Sequence, residues 1–225
     1  YCINVHNMKI IVFDTETTGL PEGRNPSICE TKKWPHIVQL SYILYDTEER
    51  RVLMYNDDII RISDDVKISE ESSSLHGITR SMCKRKGISI RDALDNFNKT
   101  LIQAEYAVGH NISFDKRVIM VESIRNKMSQ YFTIDGIRKK EFCTMKSSVD
   151  ICKIEKISRD GEKYFKYPSL TDLYGKFFGK IPKNIHNSLV DVIMCLRCYC
   201  KITGDYDVMK MKCNFINTLY KLTME

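Results

Sequence analysis

Apolar side chains gather at residues 9–13, 37–45 and 51–62, in runs rich in the branched and aromatic residues of strands. The second run, HIVQLSYILYD, alternates only loosely, as suits a strand covered on both faces. A short polar connection at 46–50 makes the second and third runs a hairpin. Between the first two lies PEGRNPSICETKKWP, a loop rich in turn formers. Beyond residue 63 the period changes. Residues 70–76 read as a short helix ending at Gly77. Residues 89–104 carry Ile90, Ala93, Leu94, Phe97, Leu101 and Ile102 at helical spacing.

Residues 107–108 form a short strand ending at Gly109, and Asn111 stands as N-cap of a helix over 112–128. Another strand at 141–144 leads into a helical turn. KISRDGEKYFKY carries an Asp160-Gly161 turn between alternating residues, a hairpin signal. Helices follow at 170–178, closing at Gly179, and at 188–202, closing at Gly204. Val208, Met211, Phe215, Leu219 and Leu222 predict an amphipathic terminal helix. The order predicts a mixed α/β sheet with helices on both faces.

The 225 residues, 43% of them hydrophobic, suffice for one well-buried domain. No apolar run approaches the ~20 residues that span a bilayer, and no signal peptide is visible. A soluble intracellular protein without membrane association, in cytoplasm or nucleus, is expected. Abundant Lys, Ile and Asn suit an AT-rich genome, large DNA viruses included. Residues 1–7 read as an N-terminal tail before Met8. The nine cysteines read as reduced thiols. Cys195 and Cys198 share a helical face with no second ligand pair at zinc spacing, so they read as small buried hydrophobes. The net charge of +6 permits a polyanionic partner without requiring one. Lys84-Arg85-Lys86 and Arg138-Lys139-Lys140 read as solvated loops when each is taken alone.

The chemistry lies in FDTETTGL at 13–20. Residues two apart on a strand face the same way, so Asp14 and Glu16 present both carboxylates to one point at its carboxyl end. Two such charges 4 Å apart repel by roughly 4 kcal/mol at an effective dielectric of 20. Protonation of one or a cation between them removes that cost, and oxygen ligands select magnesium or manganese. Asp115 and Asp191 each fall in the first turn of a helix, where the dipole alone accounts for an acid.

FDTETTGL, GHNISFD and HNSLVD, in this order, resemble the motifs of the DnaQ-like 3′→5′ exonucleases of the DEDDh type. LHGIT at 75–79 and YPSLTDLYGKFFG at 167–179 agree with that family. One departure is Ser188, where the family usually has alanine. The resemblance covers about residues 8–202. It implies a ribonuclease-H-like mixed sheet of about five strands, the second antiparallel to the rest. It divides the chain into a tail at 1–7, an exonuclease domain at 8–203 and a C-terminal amphipathic segment at 204–225.

By resemblance, Asp14, Glu16 and Asp191 hold one Mg2+ ion, and Asp14 shares a second on which Asp115 acts through water; Mn2+ substitutes. His186 would be the general base. Thr17 would bind the 3′ hydroxyl, Leu20 would wedge between the last two bases, and Asn111 serves either the substrate or only the helix cap. His36, His76 and His110 read as satisfied histidines, and Trp34 as packed beneath its loop or stacked on a base. The expected activity is metal-dependent release of nucleoside 5′-monophosphates from single-stranded or frayed DNA 3′ ends. The alternatives are a 3′→5′ exoribonuclease of the same family and a non-catalytic 3′-end-binding polymerase accessory. A polymerase or another replication or repair protein is the expected partner, and the terminal stripe docks on it or on this domain.

Overall fold

The first strand organises everything around it. In the computed structural model, which describes residues 8–182 and 185–210, it runs unbroken through both acids. The strands in chain order are β1 (Lys9–Thr17), β2 (Ile37–Asp46), β3 (Arg51–Ile59), β4 (Tyr106–Gly109), β5 (Thr133–Ile134), β6 (Ile137–Arg138), β7 (Lys140–Cys143), β8 (Glu155–Ile157) and β9 (Lys163–Phe165). The helices are α1 (Glu70–His76), α2 (Arg80–Lys86), α3 (Ile90–Gln103), α4 (Ile112–Arg125), α5 (Thr144–Ser147), α6 (Val149–Cys152), α7 (Leu170–Phe178) and α8 (Ser188–Gly204).

Five strands form one sheet in the order β3-β2-β1-β4-β7, with β1 at its centre. β2 pairs antiparallel with both β1 and β3, while β4 pairs parallel with β1 and β7. The second strand is thus the one that runs against the other four, as expected. β5–β6 and β8–β9 are small separate hairpins.

Alternation along β1 divides its side chains between two cores. Ile10 and Val12, with Ile43 and Tyr45 of β2, pack against α7 and α8. Ile11 and Phe13, with Leu40, Tyr42 and Leu44, pack against α3 and α4. β2 is buried along both faces, which is why its sequence alternates so weakly. Cys195, Cys198 and Cys200 are buried in the α8 core, as small hydrophobes. None of them joins a candidate metal cluster among the described residues.

Several boundaries differ from the sequence reading. β1 continues four residues past Phe13, because Asp14–Thr17 keep pairing with β2 until the register slips between Glu16 and Thr17. β3 stops at Ile59, and Ile60 instead bridges to Ile88. α4 stops at Arg125, and the Asn126 side chain folds back onto the Glu122 carbonyl. Asn111 occupies the cap position but takes left-handed backbone (φ 62°) and makes no capping bond. A capping side chain needs extended backbone, whereas asparagine tolerates the left-handed region. α2 and β5–β6 have no counterpart in the sequence reading. The hairpin read in KISRDGEKYFKY forms as β8–β9, around a longer turn in which Gly161 takes φ 82°. α1 ends at a left-handed Gly77, as read, and the structure adds a Ser69 cap at its start. Of the terminal stripe, Val208 is buried in the α8 core; Met211 to Leu222, and the tail at 1–7, lie outside the described residues.

Candidate active site

Asp14 and Glu16 continue the parity of Ile10 and Val12, so they face α8 just beyond the last apolar layer. Asn187 caps α8 through its side-chain oxygen, which accepts from the N–H groups of Leu189 and Val190. That cap starts the helix so that Asp191, in its first turn, meets the strand acids. Asp14, Glu16 and Asp191 each offer a carboxylate oxygen within 4.8 Å of the other two. Residues far apart in sequence thus converge on one point at the carboxyl end of β1.

Asp115 sits apart from that cluster and is held from the other face. Thr15, with the opposite parity, turns toward α4 and donates to Asp115 Oδ1 from its N–H (3.0 Å) and its hydroxyl (2.8 Å). β1 therefore carries two acids on one face and the tether of a third acid on the other.

The electrostatics follow from burial. Desolvation raises Asp14 well above the usual carboxylate range, with the charges of Asp115, Asp191 and Glu16 adding to it. Glu16 is pushed up to about 8 by burial first and then by Asp191 and Asp115. Burial brings Asp115 to about 7 against the lowering effect of Thr15. It also brings Asp191 to about 7 although the His186 backbone N–H donates to that carboxylate. These groups ionise together only with a cation among them. An all-oxygen donor set of this density fits a hard divalent ion.

His186 is exposed on a left-handed turn (φ 66°) directly before the α8 cap. Its backbone is tied to Asp191, and its side chain is on the surface. Leu20 is 81% exposed, a large apolar side chain held out from the end of the strand. The Thr17 hydroxyl donates to the Gly19 carbonyl at 2.7 Å, so it keeps acceptor capacity for a ligand. The Asn111 amide, freed from capping, is exposed at the start of α4.

His36, His76 and His110 are engaged as the sequence reading has it. His110 bonds Thr144 Oγ1 and the Pro168 carbonyl, and burial lowers it to about 4. His36 meets Glu122 at 3.1 Å. His76 accepts from the Ile78 N–H through Nδ1, so its Nε2–H donates to the Thr17 carbonyl at 3.2 Å. Trp34 is buried, donates to the Ser27 carbonyl and packs beneath its loop.

Sequence reasoning missed the supports of the site. Ser188 donates to the Asp14 carbonyl at 2.7 Å, fastening α8 to β1. Gln39 and Ser41, opposite Glu16 and Asp14 on β2, both donate to Asp57 Oδ1. This leaves the Gln39 side-chain oxygen, Oε1, to accept from the Ser188 N–H at 3.3 Å. The available signal was polar residues within an otherwise apolar buried strand, at the parity of the acids.

A family model described as an exonuclease, RNase_T, matches residues 11–199. The chain belongs to this exonuclease family, within the DnaQ-like group of the ribonuclease-H-like superfamily. Among solved structures it is similar to Escherichia coli Exonuclease I in complex with a dT13 oligonucleotide, with a TM-score of 0.64 and 18% identity over 86% of this chain and 41% of that one. It is also similar to Exonuclease I of Methylocaldum szegediense, with a TM-score of 0.64 and 16% identity over 90% of this chain and 42% of that one. At such identity the likeness is one of fold, and the chain spans less than half the length of these neighbours. No curated protein sequence matches the chain. No helix among the described residues is long and apolar enough to cross a membrane.

Proposed function

We propose that this chain is a metal-dependent 3′→5′ exonuclease that releases nucleoside 5′-monophosphates from DNA 3′ ends, single-stranded or frayed. The observation that carries this reading is the convergence of Asp14, Glu16 and Asp191 on one point, with Asp115 beside them and His186 on the rim. Asp14, Glu16 and Asp191 would hold a divalent ion, Mg2+ first and Mn2+ as a substitute, and Asp115 would serve a second. Bound ions of this kind generate the nucleophile and stabilise the leaving 3′ oxygen.

The chain's own residues do the rest. An imidazole can accept a proton at neutral pH, so His186 takes the proton of the attacking water and passes it to solvent. Its tethered backbone and exposed ring suit that task. Thr17 accepts from the terminal 3′ hydroxyl, Leu20 separates the last two bases, and Asn111 contacts the end nucleotide. A leucine against a base face is indifferent to sequence, as removal of any end requires. DNA is favoured over RNA because the Exonuclease I neighbours include complexes with DNA oligonucleotides.

A digestion panel tests this: 5′-labelled DNA and RNA, single- and double-stranded, in magnesium. Stepwise shortening from the 3′ end of DNA, stopped by EDTA and by Asp14→Ala, is expected. Shortening of RNA alone would make the enzyme an exoribonuclease. Undiminished digestion by Asp14→Ala would remove the assignment.

A further inference from the structure

The basic run Arg138-Lys139-Lys140 has a setting that its sequence does not reveal. Two cavities, of about 760 and 450 Å3, meet at Asn25, Ser113 and Arg117 and together form a trough crossed by the Arg117–Asn25 contact. One wall is a single face of α4, where Ser113, Lys116, Arg117 and Met120 follow at helical spacing. Asp115, on the other side of the same helix, is turned toward β1. The opposite wall is the polar loop after Leu20.

The trough has a direction. Leu20 and Asn111, which the proposed function sets against the terminal nucleotide, line one end. Arg138, Lys139 and Glu141 stand at the other, at the amino end of β7. The α4 wall alone extends it about 10 Å from Ser113 to Met120 at 1.5 Å per residue.

Its charge is one-sided. Five cations, Arg24, Lys116, Arg117, Arg138 and Lys139, line it against one acid, Glu141. That acid is already paired with Lys116 at 2.6 Å. Arg117 is held in place by the Asn25 side chain and the Pro26 carbonyl, 5.1 Å above the Trp34 ring. Lys139 donates to the Ala104 carbonyl. The guanidinium groups of Arg24 and Arg138 are exposed and have no hydrogen-bond or ion-pair partner among the described residues.

A concave, cationic channel that begins at Leu20 and Asn111 fits a polyanion continuing out of that site. We propose that this trough carries the phosphate backbone of the single strand on the 5′ side of the terminal nucleotides, with Arg138 at its far end. The inference rests on the exonuclease reading above and adds a binding track to it. Contact there is with phosphates and is therefore indifferent to base sequence.

The test compares a dinucleotide, too short to reach Arg138, with a single-stranded oligomer of about ten nucleotides. In Arg138→Glu, KM for the oligomer should rise about 3- to 10-fold at unchanged kcat, and its dependence on salt should weaken by roughly one phosphate contact. Turnover of the dinucleotide should match that of the parent enzyme, and Arg138→Lys should restore most of the oligomer affinity. An unchanged KM and salt slope for the oligomer would overturn the track, as would an equal loss on the dinucleotide. Failure of the parent protein to release mononucleotides from either substrate would remove the exonuclease reading instead. The trough is then judged by anisotropy with the labelled oligomer in EDTA. Binding weakened 3- to 10-fold by Arg138→Glu supports it, and equal binding overturns it.

Discussion

Thr15 donates twice to one oxygen of Asp115, through its N–H and its hydroxyl, across a hundred residues of sequence. The pair fixes the position of α4 relative to the central strand and holds Asp115 less basic than its burial alone would make it. Thr15→Val keeps the shape and removes the hydroxyl bond. The rising limb of the kcat/KM pH profile should move to higher pH, and kcat at neutral pH should fall about tenfold, as for a lost hydrogen bond to a charged group. A profile superimposable on the parent's would assign Thr15 to packing alone.

Burial raises Asp14 well above the usual carboxylate range, and all three other acids repel it. Asp14→Asn removes that repulsion in the metal-free protein. The variant should be inactive yet melt about 3–6 °C higher without metal, the equivalent of roughly 1–2 kcal/mol in a domain of this size. A lower Tm would mean that Asp14 is chiefly a structural acid.

Metal and protons compete at this site. Glu16 sits at about 8, and Asp115 and Asp191 at about 7, whereas unfolded carboxyls titrate near 4. Between those values the native state binds more protons. The contribution of these groups is therefore complete below about pH 4 and is lost as pH rises through 7–8. A bound divalent ion displaces those protons. The Tm gain on saturating with Mg2+ should be larger at about pH 8.5 than at about pH 6, read by scanning fluorimetry at constant ionic strength. A gain that shrinks with pH would place the ion elsewhere.

Leu20 buries almost nothing in the protein itself, so its truncation isolates a role toward substrate. Leu20→Ala should leave Tm within a degree or so and lower kcat/KM on single-stranded DNA about tenfold, the scale of one base-stacking contact. Loss of stability with unchanged kinetics would return Leu20 to the fold.

The helices on both faces of the sheet and the acid pair were legible because they depend on local pattern: apolar runs in β1 and β2, a helical stripe in α3, and closing glycines at Gly77 and Gly179. The parity that aims Asp14 and Glu16 at one point is itself a sequence property. What escaped is settled by distant partners. α2 has only Cys83 buried, so its RSMCKRK shows no stripe. Glu122 looks like a surface acid on α4, yet it is 2% exposed, ion-paired to Arg125 and in contact with the His36 ring. The extension of β1 to Thr17 was hidden because polar residues there are stabilised by Ser41, Gln39 and Ser188, none of them near in sequence.

The bond from Ser188 to Asp14 spans 174 residues. Synthesis at 5–20 residues per second puts roughly 10–35 s between the two ends of that bond. Throughout that interval Ile10 and Val12 lack the helix that covers them, and the paired acids lack their third partner. The central strand is thus made before the rest of its sheet and is among the last parts completed. A nascent chain stalled before α8 would present a sticky, inactive sheet to chaperones, and arrested chains of increasing length should lose chaperone capture only once α8 has cleared the ribosome.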